Sequence, residues 1–422
     1  MLDIKFIREN PDLIRDAARK KRITFNVEKL LEVDKIRRER QIEIDALRAQ
    51  LHATSDQIAQ LEDKDAKERI IAEMRALKKD IGEKEKAYTE IMSDFERLMY
   101  EVPNIPDPSV PDGGSDADNQ EIRTVGVKPE FSFEPKSNID ILHELDLADF
   151  ERGALVGGFR GFFLKNDAVL LTMGIWQFVF KHLVEKGYQP HTAPVLVREE
   201  SFLGTGYFPQ GREDVYKTQD DTYLIGTSEV SIMGMFRDQI FDEKDLPIKI
   251  VAFSPCFRRE IGAHGKDTKG LYRVHEFMKV EQIILGPADH MESVKFHEEL
   301  QKNGEEIMQL LGLAYRVVVN CGGDLGLGQV KKYDIEAWLP ARRAYGETHS
   351  TSYFHDFQTR RLGIKYRNSE GVVRFAHSLN ATAIATPRIL MSILEQNQQE
   401  DGSVKIPKVL VPYVGKTEIK KP

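Results

Sequence analysis

Two heptad-patterned stretches with a short polar run between them leave the N-terminal quarter of this chain few ways to fold. From Val27 to Leu61 there is neither proline nor glycine, and apolar residues fall at Ile44, Leu47, Leu51, Ile58 and Leu61, with Thr54 filling the remaining slot. The spacing alternates between three and four, which is the seam of a coiled coil. Glu62-Asp63-Lys64-Asp65-Ala66-Lys67 interrupts it, and the seam resumes at Ile70, Met74, Leu77 and Ile81, then Tyr88, Ile91, Phe95 and Leu98, with Lys84 in one slot. Two long helices joined by a polar turn read as an antiparallel coiled-coil hairpin over about 27–100. At about 1.5 Å per residue, a helix of roughly 33 residues projects roughly 50 Å. Asn10-Pro11-Asp12 suits the start of an earlier helix, whereas Pro103, Pro106 and Pro108 forbid the second long helix from continuing. Taken alone, such a hairpin is most often a dimerisation or packing device.

The rest of the chain has a different texture. Residues 108–120 are rich in Gly, Asp, Ser and Pro and read as a linker. From about Asn138, short β-branched and aromatic runs such as Lys249–Phe253 and Tyr315–Val319 alternate with helical stretches near 168–187 and 291–312. These predict a mixed or antiparallel sheet with helices packed on it. The length of 422 residues allows two or three domains, and 41% hydrophobic residues suffice for a sizeable core. The formal net charge of −8 does not exclude an RNA partner, because only a local patch meets the phosphates. Cys256 and Cys321 are too few for a disulfide framework or a four-cysteine zinc site, so no zinc is expected and buried thiols in a reducing cytosol are. The first residues carry acids early and no secretory pattern, and no run of about 18 apolar residues is present. A cytoplasmic protein without a membrane span is expected.

Four segments of the second region carry polar residues that a pure core would not want. Thr227-Ser228-Glu229 follows an apolar strand end and offers two hydroxyls and a carboxylate to a small zwitterion, although taken alone it is more often a strand-to-helix cap. Cys256-Phe257-Arg258-Arg259-Glu260 and Leu271–Glu281 flank a basic loop containing Gly262, Gly265, Lys266, Lys269 and Gly270. Arginine forks there suit a phosphate or carboxylate, and Phe277 offers a face to a base; a salt-bridged surface hairpin is the competing reading. Gly346–Ser352 is rich in the oxygens that Mg²⁺ takes, or is a plain Ser/Thr-rich edge strand. Asn380–Leu390 combines small residues with Arg388 just past Pro387, where a cation could clamp a terminal phosphate.

Together and in this order, these segments resemble the class II aminoacyl-tRNA synthetases, specifically the seryl-tRNA synthetase family, over nearly the whole chain. Lys186-Gly187-Tyr188 followed by Pro194 is similar to the family's first, dimer-forming motif. Phe257–Glu260 with Gly265–Gly270 resembles the second motif and its seryl-type loop, and the stretch ending at Arg388 resembles the third. Leu203-Gly204-Thr205-Gly206, Asp356-Phe357-Gln358 with Arg360-Arg361, and Gln399–Val404 also fit. The chain departs from the pattern at Ala381 and Ala383 where glycines are usual, at Tyr353, and at Thr348-His349.

The resemblance implies an α+β fold: an N-terminal antiparallel coiled-coil hairpin that binds tRNA (1–107), a linker leading in (108–137), and a class II catalytic domain with an antiparallel sheet flanked by helices (138–422). It implies a homodimer that activates L-serine with ATP and Mg²⁺ and transfers serine to tRNA-Ser, with tRNA-Sec a further candidate acceptor. Arg258, Glu260 and Arg388 would be catalytic. Thr227, Ser228, Glu229, Glu281, Asn380 and Thr382 would surround serine. ATP would meet Arg258, Arg259, Glu260, Phe277, Glu347, Thr348, His349, Ser350 and Arg388, with Phe277 on one face of adenine and Arg388 on the other. Glu347 and Ser350 would carry the metal. The alanines would tighten the floor beneath the nucleotide. On the arm, Arg37, Arg38, Lys78 and Lys79 are candidate phosphate contacts. A carrier-protein ligase lacking the arm, a non-catalytic paralogue that had lost the motif arginines and glutamates, and a class II synthetase for another amino acid are the rivals. The arm speaks against the first, intact Arg258, Glu260, Glu281, Glu347 and Arg388 against the second, and Thr227–Glu229 with Glu347–Ser350 against the third.

Overall fold

The heptad stretches fold as the pattern requires. In a computed structural model, which describes residues 1–60, 63–261 and 270–421, four helices come first: α1 (Ile4–Glu9), α2 (Pro11–Lys20), α3 (Val27–Gln60) and α4 (Lys64–Glu101). Leu61 and Glu62, at the expected turn, lie outside the described residues. Asp63 accepts from the amide of Asp65 at 3.0 Å and so serves as the N-cap of α4. Ile44, Ile81 and Leu98 are buried on the seam. Lys84, the lysine in a heptad slot, keeps its place by donating to Glu43 across the hairpin at 2.5 Å, and Arg48 pairs with Glu85 at 2.6 Å in the same way. Arg37 and Arg38 do not offer free charge: both bind the fully buried Asp34, at 2.8 and 3.0 Å, and Arg37 also lies over the Phe95 ring at 4.6 Å. Lys78 and Lys79 are exposed.

By compactness the chain divides into this helical unit, Leu2–Ala18 with Thr24–Val102, and a second unit made of Met1, Arg19–Ile23 and Pro103–Pro422. The second unit is built on eight strands: β1 (Gln120–Val125), β2 (Gln189–Thr192), β3 (Ile248–Phe257), β4 (Glu276–Gly286), β5 (Tyr315–Val319), β6 (Lys331–Leu339), β7 (Ala344–His355) and β8 (His377–Thr386). Their spatial order is β1-β5-β6-β7-β8-β4-β3-β2. Every neighbouring pair is antiparallel except β2 and β3, which run parallel at one edge. β1 pairs with β5 inside the segment expected to be linker, so that segment contributes the opposite edge of the sheet. The principal helices of this unit are α5 (Asp167–Glu185), α6 (Ser228–Met235), α7 (His290–Leu310), α8 (Phe357–Leu362) and α9 (Arg388–Gln396).

α5 is long and apolar enough, by length and composition, to cross a membrane. Here it buries Leu171, Ile175, Phe178, Val179 and Leu183 in the core with sheet residues such as Val251, Val280 and Ile384. α9 is pinned at its far end by Glu395. That fully buried carboxylate accepts from the Asn138 amide at 2.9 Å, from Asn138 Nδ2 at 2.6 Å and from the Ala341 amide at 3.2 Å. Replacing it strands these donors in a place water does not reach. Glu395→Ala should therefore lower unfolding free energy by about 1–3 kcal/mol; a denaturant titration with an unchanged midpoint would show that the anchor carries no weight.

Candidate active site

Strand geometry decides which residues meet. Along an unbroken strand, residues three apart point to opposite faces. In β7 the register against β6 slips, because Ile335 faces His349 while Glu336 faces Glu347, leaving Thr348 unopposed. This bulge brings Glu347 round to the face that already carries Ser350 and Ser352, and all three line one cavity. A second slip in β8 between Thr382 and Ile384, against β4, keeps Asn380 and Thr382 on that face and carries Ala385 onto it as well. On β4 the plain two-residue period places Phe277, Lys279 and Glu281 side by side.

Two adjoining cavities open over these strands. The first is lined by Arg258, Glu260, Tyr272, Phe277, Thr348, Ala385 and Arg388 among others. The second is lined by Tyr207, Glu229, Glu281, Ser350, Asn380 and the Gly326–Gln329 turn among others. Arg258, Lys279, Glu347 and Thr382 line both, so they form the seam between them.

The first cavity is cationic where it meets β7. Arg388 begins α9, donates to the carbonyls of Tyr272 and Glu347 at 3.2 Å each, and pairs with the Glu347 carboxylate at 3.3 Å. Burial opposes ionisation of Glu347, yet Arg388, Lys332 and Arg258 hold its carboxyl below the usual range. Arg258 lies over the Phe277 ring at 5.2 Å, and Arg388 over the Tyr272 ring at 4.7 Å. Glu260, at a positive φ of 54°, accepts from Arg273 at 2.9 Å.

The second cavity takes its acidic end from two buried carboxyl groups, Glu229 and Glu281, while Arg258, Lys279 and Lys332 also line it. Glu229 sits in the first turn of α6 and accepts from Gln358 Nε2 at 2.7 Å and Tyr207 at 3.0 Å. Gln358 is held by Ser378 at 2.7 Å and donates to the Thr205 carbonyl at 3.0 Å. The Leu203–Gly206, Thr227–Glu229 and Asp356–Gln358 segments thus converge on one carboxyl group. Burial raises Glu229 to about 7, with the nearby Glu281 adding to the effect and Gln358 and Tyr207 opposing it. Glu281 is paired with Lys279 at 2.6 Å, both nearly out of solvent, and accepts weakly from Thr382 at 3.4 Å.

Several residues expected at the site line neither cavity. His349 points to the other side of β7, where its Nε2 donates to the Ala383 carbonyl at 2.8 Å and its Nδ1 meets the Thr348 hydroxyl at 2.8 Å. Burial lowers its pKa to about 4. Arg259 turns outward to the Glu213 carbonyl at 3.0 Å. Thr227 is the N-cap of α6, its hydroxyl accepting from the Glu229 amide at 3.3 Å, so the helix-cap reading holds for it. Ser228 is fully buried, lines neither cavity, and its hydroxyl has no hydrogen-bond partner among the described residues. Ala381 and Ala383 face the hydrophobic core behind β8, not a nucleotide floor; Ala385 is the alanine that lines the cleft. Tyr353 is buried beside the His297 ring and donates to Asp107 at 2.8 Å. The loop from Gly262 to Lys269, including most of the seryl-type pattern, lies outside the described residues.

Lys279, Tyr207 and Lys332 are absent from the site residues expected from the sequence, and Gln358 enters there only as part of a matching segment without a role. For Lys279 the signal was available: an alternating Phe277, Lys279, Glu281 on a predicted strand shares one face. Breaking a buried ion pair on one side leaves an uncompensated charge, so Lys279→Met should cost about 3–5 kcal/mol, and adding Glu281→Met should restore much of it. Equal losses in the single and double variants, measured by chemical denaturation, would deny the pairing.

The comparisons with known proteins bear on the same regions. Residues 1–106 match the family model described as the seryl-tRNA synthetase N-terminal domain, and residues 214–397 match the class II tRNA synthetase core domain (G, H, P, S and T). The serine–tRNA ligase of Deinococcus radiodurans is 41% identical over 420 residues, 99% of each chain. The crystal structure of seryl-tRNA synthetase from Pyrococcus horikoshii complexed with ATP superposes with a TM-score of 0.92 at 39% identity, covering 100% of both chains. The cytoplasmic serine–tRNA ligase of Naegleria fowleri in complex with AMP gives 0.87 at 32% identity, covering 100% of this chain and 99% of that one.

Proposed function

The chain belongs to the seryl-tRNA synthetase family, and from that membership we propose how its residues divide the work. It is a serine–tRNA ligase: it activates L-serine with ATP and transfers the serine to tRNA-Ser. In the first step a serine carboxylate oxygen attacks the α-phosphorus of ATP, the bond to the β-phosphate oxygen breaks, and pyrophosphate leaves. In the second, a terminal adenosine hydroxyl of the tRNA attacks the seryl carbonyl and AMP leaves with the bonding pair.

The observation that carries the division of labour is the seam itself. A cationic cavity and an acidic cavity share Arg258, Lys279, Glu347 and Thr382, so the nucleotide would occupy the first and serine the second, with their reacting ends meeting at Arg258. Arg258 would hold the serine carboxylate and the α-phosphate together, which supplies positioning and charge neutralisation at once. Arg388, fixed at the head of α9, would clamp the terminal phosphate, and Glu260 would orient the arginines around it. Phe277 offers its ring to adenine. Glu229 and Glu281 would take the serine ammonium, and Asn380 and Thr382 the hydroxyl. A site built to hydrogen-bond a hydroxyl rejects alanine strongly, because its polar groups are otherwise left unpaired.

Glu347 and Ser350, on one face of β7, are the oxygen donors Mg²⁺ takes. Among the described residues no cluster of three or more His, Cys, Asp or Glu could hold a metal unaided, so the ion's remaining ligands would be phosphate oxygens. When bound, it would neutralise charge on the phosphates.

The helical unit would meet tRNA, the segment 108–137, which supplies an edge strand of the large sheet, would belong with the catalytic region 138–422, and Lys78 and Lys79 suit phosphate contact better than the Asp34-bound Arg37 and Arg38. Leu155, Val156, Phe159 and Met173 are exposed at 85, 77, 61 and 55%. An apolar surface of this kind suits burial in a homodimer. Both cysteines are buried free thiols, in keeping with a reducing cytoplasm.

ATP–pyrophosphate exchange without tRNA should proceed with serine and with no other standard amino acid, and Arg258→Ala should lower it by roughly a thousandfold or more; exchange retained in that variant would remove Arg258 from the chemistry. Serine capture should also depend on pH with a definite sign. Glu229, raised to about 7, is largely neutral below that pH and ionised above it. The serine KM should therefore fall on going from about pH 6 to about pH 8, by up to about tenfold per unit below the pKa. Glu229→Gln should flatten that profile while raising KM throughout. A flat profile in the unmodified enzyme would mean that Glu229 does not receive the ammonium.

A further inference from the structure

One wall of the acidic cavity is a turn of backbone, Gly326-Leu327-Gly328-Gln329, and nearly everything that holds it comes from outside it. Lys21, in the Arg19–Ile23 segment that packs in the second unit, is buried to 3% exposure. Its ammonium donates to three carbonyls of this turn: Gly326 at 3.0 Å, Leu327 at 2.8 Å and Gln329 at 2.6 Å. The neighbouring carbonyls are met just as closely. Asn104 donates from its amide to Leu327 at 2.9 Å and from Nδ2 to Gly328 at 2.9 Å, and the Asp107 amide donates to Val330 at 2.9 Å. Five consecutive carbonyls, 326 to 330, are thereby satisfied.

This is an unusual use of a lysine. Burial pulls its pKa well below the ordinary value, and its recorded partners are carbonyl oxygens rather than a carboxylate. Three charge-assisted bonds compensate the desolvation only while the three carbonyls converge on one point. The ammonium therefore fixes the curvature of the turn, and with it the position of the opposite surface. Gln329 links that surface to the site: its side chain accepts from the Gly326 amide at 2.6 Å and donates to the Ser352 hydroxyl on β7 at 2.8 Å. On the apolar side, Leu327 packs with Phe354, Phe357 and Ile23, so Lys21 and Ile23 grip the turn from one short segment.

We infer that Lys21, with Asn104, is a positioning residue for amino-acid activation: it touches no substrate, but holds the Gly326–Gln329 turn in the shape that closes the serine cavity. The inference rests on the assignment of that cavity to serine. Because the turn lines the acidic cavity and not the cationic one, loss of the clasp should weaken serine and spare ATP.

The test is pyrophosphate exchange by the full-length enzyme, with serine and ATP varied separately, for Lys21→Met, Asn104→Ala and Thr382→Ala. For Lys21→Met the serine KM should rise by about tenfold or more while the ATP KM changes by less than about twofold. Asn104→Ala should shift serine in the same direction by a smaller factor. Equal rises for both substrates, or a fall in rate with both KM values unchanged, would reduce Lys21 to a general stability role and overturn the inference. Should Lys21→Met fail to fold, Asn104→Ala decides: a selective serine effect upholds the clasp, and an unchanged serine KM overturns it. Thr382→Ala separates the premise from the inference. If it leaves the serine KM unmoved, the assignment of the cavity has failed; if it raises the serine KM while the clasp variants do not, only the clasp has.

Discussion

A pleated strand presents alternate residues to each side, and the catalytic cleft depends on a break in that rule within each of two central strands. The slip at Thr348 turns Glu347 to the side of Ser350, and the slip near Ala383 turns Ala385 to the side of Thr382. Without the first, Glu347 would lie among the side chains that pack on α7, where His349 and Thr351 now lie. Without the second, Ile384 would replace Ala385 at the lip and the approach to Arg388 would be differently walled. The bulges also release carbonyls from the ladder, and the Ala383 carbonyl is taken up by His349 at 2.8 Å. That histidine is in effect part of the mechanism by which the strand stays bent.

Once the face is set, charge does the rest. The acidic cavity holds Glu229 and Glu281 near each other, and the pair is tolerable because Lys279 neutralises one and burial raises the pKa of the other. The cationic cavity reverses the arrangement: Glu347 stands among Arg388, Lys332 and Arg258, and stays ionised because they outweigh its burial. One cleft thus holds two carboxylates, one raised and one lowered. Their different settings come from neighbours on β4, β6 and α9 rather than from any difference between the carboxylates themselves.

What the amino-acid order reveals follows the range of the forces involved. The coiled-coil seam was legible to the residue, because heptad periodicity is local and a lysine in one slot needs only a glutamate across the hairpin. The strands at Lys249–Phe253 and Tyr315–Val319, and the helices near 168–187 and 291–312, were legible for the same reason. The charged motif residues Arg258, Glu260, Glu281, Glu347 and Arg388 were identified through family resemblance, and the fold does gather them. His349, Arg259 and Ser228 were misplaced, since a bulge or a cap redirects a side chain without leaving a periodic trace. Lys21 was missed because nothing near it in the chain hints at its partners, which lie hundreds of residues away, whereas Lys332 pairs with Asp334 two residues on along its own strand and shared the alternation signal of Lys279.

The clasp around the Gly326–Gln329 turn has a practical consequence for anyone who would study the catalytic region by itself. Cutting the chain after the long hairpin, at the prolines that end α4, looks like a clean excision of an RNA-binding appendage. It would keep Asn104 and Asp107 but discard Lys21 and Ile23, which precede the hairpin in the chain and belong by packing to the part retained. The remaining fragment would carry three inward-facing carbonyls without their cation and an apolar socket without its plug. Poor amino-acid turnover in such a fragment would then say nothing about whether the arm itself communicates with the catalytic centre. A fair minimal enzyme would splice the first residues directly onto Pro103, replacing the hairpin with a short bridge.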